Sequence, residues 1–344
     1  MQRLSGKVAV VTGASRGAGR AIAAVLGEAG ATVYVTGRTI RGGAAVDGLP
    51  GTIEDTAEEV MDRGRKAEGE QGALTPALSR RERKERPEAL SHGEKGKGIA
   101  VRCDHTNDKE VEALFERVRV EQGRLDLLVN NVWGGYEGQT FGIPMGPFWE
   151  QPRGQWESMF VAGVRAHLVA SQLGARVMIG DQEATKHPQP GPLPDGNGER
   201  SEPSPGPSLQ GRGSPLIVST VAWAYDEYLR NIFYDVSKAA VIRMIHGMAH
   251  DLRPHRVATV ALAPGFMRTE RIMAAYAAHP FDLSITESPE YLGRAVRALA
   301  EDANVMEKSG GVFTVGDLAR EYGFTDVDGR QPAAFRFPSE LRNR

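Results

Sequence analysis

Tyr234 and Lys238 stand four residues apart in a strongly helical stretch, so both side chains project from one face. A phenol beside an ammonium is an acid–base pair. An ordinary phenol titrates at about 10, out of reach at neutral pH. A neighbouring positive charge favours the phenolate and brings that proton towards the working range. A chance spacing with a buried phenol is the alternative.

A second chemistry is anion binding. Residues 12–19 read TGASRGAG, directly after an apolar run and at the head of a helical one. Gly13, Gly17 and Gly19 have the spacing of a turn that lets backbone N–H groups approach a pyrophosphate, with a helix N-terminus behind them. Thr12, Ser15 and Arg16 complete the loop. A plain strand-to-helix turn can carry the same glycines. The next strand ends in Thr36-Gly37-Arg38, with no acid to bind a ribose 2′-hydroxyl. A guanidinium there suits a 2′-phosphate, with Arg16 as the other half of a clamp, unless both are plain surface charges. NADP(H) is therefore favoured over NAD(H).

Such residues need strands and helices that bring them to one edge. Short apolar runs at 8–13 (VAVVTG), 31–37 (ATVYVTG), 98–104 (GIAVRCD), 125–131 (LDLLVNN), 215–220 (PLIVST) and 256–265 (RVATVALAPG) read as strands. Helical stretches fall at 17–30, 52–66, 155–179 and 231–252, and Asn107 with Glu110 forms a capping box for another. Apolar strands alternating with helices predict a doubly wound parallel sheet, a Rossmann-type three-layer αβα fold. Residues 1–344 read as a single domain.

Two stretches break the rhythm. Residues 72–97 are rich in mixed charge, including Arg80, Arg81, Arg83, Lys84 and Arg86 interleaved with Glu82, Glu85 and Glu88. Residues 181–214 hold seven of the 20 prolines, which forbids a packed helix or strand. Both are read as surface insertions without fixed structure. The basic run could contact a phosphate or nucleic acid, but its acids dilute it and mixed-charge runs usually just solvate.

Composition narrows the classes. Lysine plus arginine is 42 against 44 acids, a net charge of −2, which argues against a dedicated binder of nucleic acid or anionic membrane. The lone Cys103 excludes an internal disulfide and any multi-cysteine metal site. His167, His246 and His250 have no metal-ligand partners in the pattern, so no metal is expected. The sequence shows no signal peptide and no apolar run long enough for a membrane span, so a cytoplasmic protein is expected.

Four motifs in order now carry a resemblance. They are the glycine turn (Thr12, Gly13, Gly17, Gly19), Asn130-Asn131-Val132-Trp133, Tyr234-x-x-x-Lys238, and Pro264-Gly265 with the later Thr269. Over residues 4–269, insertions aside, the chain resembles the short-chain dehydrogenases/reductases. The second motif stands where that family has Asn-Asn-Ala-Gly.

The resemblance implies an oxidoreductase interconverting a small-molecule carbonyl and an alcohol. Tyr234 would donate or accept the proton. Lys238 would lower its pKa and hold the nicotinamide ribose, while the cofactor carries the hydride. Asp104 would contact the adenine and Asn130 the adenosine side of the groove. Pro264, Gly265 and Thr269 would line the nicotinamide, with Thr269 at its carboxamide. A helix-capping Asp, a turn Asn and a helix-capping Thr are the plain alternatives. A homodimer or homotetramer through helices 155–179 and 231–252 is also implied.

Two departures qualify this. The family's serine, which polarises the substrate oxygen, falls by spacing on Val221, with Ser219 and Thr220 close by. Strand side chains alternate, so at most one of the two hydroxyls faces the site. The family's relay asparagine, which works through a water, falls on Gly163. Ile272, Met273, Tyr276 and Phe281 are candidate pocket walls, as are Trp133, Tyr136, Trp149 and Trp223. The missing serine motivates the rival reading, a non-catalytic NADP(H)-binding sensor or scaffold.

Overall fold

The computed structural model describes residues 3–43, 48–74, 96–135, 146–180, 213–222 and 228–335. In chain order the elements begin β1 (Val8–Val11), α1 (Gly17–Glu28), β2 (Thr32–Gly37), α2 (Ile53–Leu74) and β3 (Gly98–Arg102). Then follow α3 (Asp108–Gln122), β4 (Leu127–Asn130), α4 (Ala166–Ile179), β5 (Leu216–Thr220), α5 (Ile232–Leu252) and β6 (Ala258–Ala263). The chain continues through β7 (Phe266–Met267), α6 (Glu270–Ala278), β8 (Thr286–Glu287), α7 (Pro289–Glu301), β9 (Val312–Thr314) and α8 (Val315–Tyr322).

Seven strands form one sheet in the order β3-β2-β1-β4-β5-β6-β9, every neighbouring pair parallel. Helices cover both faces, giving the expected doubly wound αβα fold. Alternate strand residues feed opposite layers. Ala9, Val11, Val33 and Val129 pack with Ile22 and Leu26 of α1 and Leu292 and Val296 of α7. Val8, Val10 and Leu128 pack with Leu114 and Phe115 of α3 and Ala170 of α4. Burial on both faces is why the strands read as continuous apolar runs. The strand order reverses between β1 and β4, and the crevice at their carboxyl ends is where such sheets bind ligands.

Three boundaries differ from expectation. Helix α2 runs on to Leu74, because alanine, glutamate and glutamine after residue 66 are helix formers. It takes in the first residues of the 72–97 stretch. The rest of that stretch, to residue 95, and residues 181–212 of the other lie outside the described residues. The predicted helix over 155–179 is two pieces: 157–165 is wound with i→i+5 bonds, and α4 proper begins at Ala166. Beyond the region of resemblance, β9 closes the far edge of the sheet.

Among the described residues no helix is long and apolar enough to cross a membrane. Among them, too, no cluster of three His, Cys, Asp or Glu could hold a metal ion.

Candidate active site

The glycine turn joins β1 to α1. The buried Thr12 hydroxyl accepts the Asn131 N–H at 2.9 Å and the Val132 N–H at 3.3 Å, locking the end of β4 to the loop. The Asn131 amide returns two bonds, to the Thr12 and Gly13 carbonyls at 3.3 and 3.1 Å. A Cβ on Gly19 would lie 2.3 Å from the Gly13 oxygen, so only glycine lets helix and turn close this tightly. The N-terminus of α1 already holds an anion: Gly17 N–H donates to the Glu270 carboxylate at 2.8 Å. Ser15 is buried in the loop.

The two predicted clamp residues differ. Arg38 is exposed at the end of β2. Arg16 reaches across the following loop and donates to the Pro50 carbonyl, the Thr39 hydroxyl and the Gly51 carbonyl at 3.1–3.3 Å. Asp104 accepts the Thr106 N–H and hydroxyl at 3.0 and 2.7 Å. Burial works against its charge, but those bonds and then Arg38 outweigh it and hold the carboxyl below its ordinary range. Next to it, His105 is bonded to the Thr36 hydroxyl at 2.8 Å, and burial pushes its imidazole down to about 4.

Asn130 does not line an open groove. It is fully buried, and its amide donates to Ser171 at 2.8 Å and to Ser219 at 3.4 Å. Ser219 is likewise fully buried. Thr220 is half-buried at the carboxyl end of β5, and its hydroxyl lies 3.4 Å from the Asn130 carbonyl and 3.5 Å from Asn131 Oδ1. The alternation of the strand sends the two hydroxyls to opposite sides.

Tyr234 and Lys238 share a face in the first turns of α5. Asn231 caps that helix, accepting the Tyr234 N–H at 2.8 Å, and its amide is held by Gln155 at 2.8 Å. The Lys238 ammonium sits 3.5 Å from the centroid of the Trp133 ring and 5.6 Å from that of Tyr234. Trp133 and Tyr234 meet edge to face at 5.3 Å. Burial pushes Lys238 down to about 7. Behind them His167 bonds the Val132 carbonyl at 3.0 Å, and burial, with Lys238 adding to it, drives its pKa down to about 3.

On the other wall, Gly265 N–H donates to Glu287 at 2.9 Å. Glu287 is 2% exposed. Burial raises its carboxyl to about 7; the Gly265 bond opposes that, and Asp326 adds to it. Pro264 precedes this bond in the turn after β6. Thr269 caps α6 through the Ile272 N–H at 3.4 Å. Phe281 lies 5.2 Å from both Phe266 and Tyr276, a small aromatic cluster over the turn.

A profile of the short chain dehydrogenases matches residues 66–186 and 207–279. Dehydrogenase/reductase SDR family member 1 of Mus musculus is 34% identical over 339 residues, covering 95% of this chain and 85% of that protein. The chain belongs to the short-chain dehydrogenase/reductase family. Solved members share the fold. A short chain dehydrogenase of Mycobacterium thermoresistibile superposes with a TM-score of 0.66 at 20% identity, covering 96% of this chain and 92% of that one. One from Burkholderia cenocepacia, in complex with NADP, gives 0.57 at 22% identity, covering 91% of this chain and 97% of that one.

This short-chain dehydrogenase/reductase brings the glycine turn, Tyr234, Lys238, Thr220 and the Pro264-Gly265 turn to the carboxyl ends of its strands. Trp149 is 72% exposed on a short turn and walls nothing. Tyr136 and Trp223 lie outside the described residues. Sequence reasoning missed Glu270 and Glu287. Glu270 looks like an ordinary first-turn acid, and nothing in SITESPEY marks Glu287 as buried.

Proposed function

We propose that this chain is an NADP(H)-dependent oxidoreductase that interconverts a carbonyl and an alcohol on a small molecule. The observation that carries it is Tyr234 and Lys238 on one face of α5, with the ammonium 5.6 Å from the centroid of the phenol ring.

The residues present fit a dinucleotide: the anion-accepting N-terminus of α1, the close-packed glycine turn, and the exposed Arg38. Thr12, Gly13, Ser15, Gly17 and Gly19 would form the pyrophosphate cradle, with Asp104 at the adenine end. Pro264, Gly265 and Thr269 would bound the nicotinamide end. Arg38 favours a 2′-phosphate, since the strand-end sequence Thr36-Gly37-Arg38 carries no acid to bind a ribose 2′-hydroxyl. The bound nicotinamide supplies or accepts the hydride.

Tyr234 moves the proton at its phenolic oxygen. The Lys238 charge stabilises the phenolate and lowers the cost of that transfer. Lys238 also holds the nicotinamide ribose. Thr220, rather than the buried Ser219, donates to the substrate oxygen. Asn130 acts from inside, holding the end of β4. The aromatic cluster of Phe266, Tyr276 and Phe281 suits an apolar substrate. A cytoplasmic homodimer or homotetramer through α4 and α5 completes the reading.

The test is NADPH consumption over a panel of aldehydes, ketones and quinones, for the parent and Tyr234→Phe. Turnover by the parent, lost in the variant with NADPH binding intact, supports the reading. Turnover retained by Tyr234→Phe removes Tyr234 as acid–base. Tight NADPH binding with no turnover by either protein favours a non-catalytic NADP(H) sensor or scaffold.

A further inference from the structure

Lys238 is partly buried, and among the described residues no carboxylate pairs with it. A buried ammonium without a counter-charge tends to lose its proton. What faces its Nζ is the ring of Trp133, 3.5 Å from the centroid. An aromatic face attracts a cation, most strongly away from water. The same ring meets Tyr234 edge to face, at 77°.

The seat for that ring is built. A Cβ on Gly163 would lie 2.7 Å from Trp133 Cζ3 and 2.9 Å from Cε3, so any side chain there would collide with it. Residues 157–165 are wound with i→i+5 bonds at this point, a rare geometry that widens the helix. In this packing the Trp133 ring fills the space that a side chain at 163 would need, the position where the resemblance puts the relay asparagine. The remaining group behind the site, His167, is held neutral by burial and puts no competing cation beside Lys238.

We propose that Trp133 is a positioning residue of the acid–base pair, its ring face holding Lys238 in the charged form beside Tyr234 in place of an asparagine and a water. This rests on Tyr234 and Lys238 being the acid–base pair. Trp133 touches neither hydride nor substrate in this role. It acts through Lys238, and the phenol reports the effect.

The phenolate of Tyr234 is read in the near ultraviolet on the full chain, as the pH difference spectrum between each protein and its Tyr234→Phe counterpart. Tyr234 in the parent should titrate below an ordinary phenol. Trp133→Leu should raise that titration by about one pH unit, the size of a desolvated cation–π contact. Trp133→Phe, which keeps a ring face, should restore most of the shift. Gly163→Ala, which pushes the ring from behind, should shift it in the same direction. Far-ultraviolet circular dichroism and NADPH titration show which variants fold. If Trp133→Leu does not fold, Trp133→Phe and Gly163→Ala decide. An unchanged Tyr234 titration in folded variants overturns the role of Trp133. An ordinary phenol in the parent overturns the acid–base reading itself, a separate failure.

Discussion

The Glu270 carboxylate accepts the Gly17 N–H at 2.8 Å, so an acid at the start of α6 sits on the N-terminus of α1. A pyrophosphate cradled by the glycine turn would compete for the same positive end of the helix. Glu270→Gln is therefore expected to bind NADPH about twofold to fivefold more tightly, the value of one charge at a helix end. The gain should shrink as salt rises. Quenching of intrinsic fluorescence by NADPH measures it, and unchanged or weaker binding would remove Glu270 as a competitor.

Arg38 and Arg16 should separate by two readouts. Arg38 is exposed at the end of β2, so Arg38→Ala should cost about tenfold or more in NADPH affinity and leave NADH affinity unchanged. Arg16 ties Thr39, Pro50 and Gly51 to the glycine turn. Arg16→Ala should lower the melting temperature and weaken both cofactors. Equal NADPH and NADH losses for Arg38→Ala would argue against a 2′-phosphate contact.

Thr220 and Ser219 differ in burial, and their roles should follow. Thr220→Val removes the hydroxyl at constant shape. It should lower kcat about a hundredfold, as for one lost donor to a developing oxyanion, with NADPH binding intact. Ser219→Ala should leave kcat alone. It loses the contact to the Asn130 amide, a cost of about 0.5–1.5 kcal/mol in chemical denaturation. The reverse pattern would assign the chemistry to Ser219.

The strands, their alternation with helices and the glycine turn were legible because they follow from local pattern: apolar runs, caps and glycine spacing. Tyr234 and Lys238 were legible because helical spacing alone puts them on one face. The Trp133 seat was not, since it joins the end of β4, the 157–165 turn and α5, and only tertiary packing sets three such distances. The placing of Asn130 failed for a related reason. Burial behind the sheet edge depends on Ser171 of α4 and Ser219 of β5, both far away in sequence. Likewise the 155–179 stretch has one helical pattern, and the change of winding inside it comes with the ring packed on Gly163.

Glu287 should make stability fall with rising pH. Unfolded, its carboxyl titrates at 4.5; folded, burial and Asp326 raise it to about 7, against the Gly265 N–H and Arg268. Below 4.5 both states carry the proton, so this contribution is fully present. Between the two values only the folded state carries it, and stability declines as pH rises. Above about 7 both are ionised, and the accumulated loss is about 3 kcal/mol. Glu287→Gln still offers the Gly265 N–H an acceptor but never ionises. The variant should match the parent at pH near 4.5 and exceed it by about 3 kcal/mol above pH 7, in chemical denaturation across that range. Parallel curves for the two proteins would mean that folding leaves the Glu287 titration where it is in the unfolded chain, with Arg268 offsetting the effect of burial.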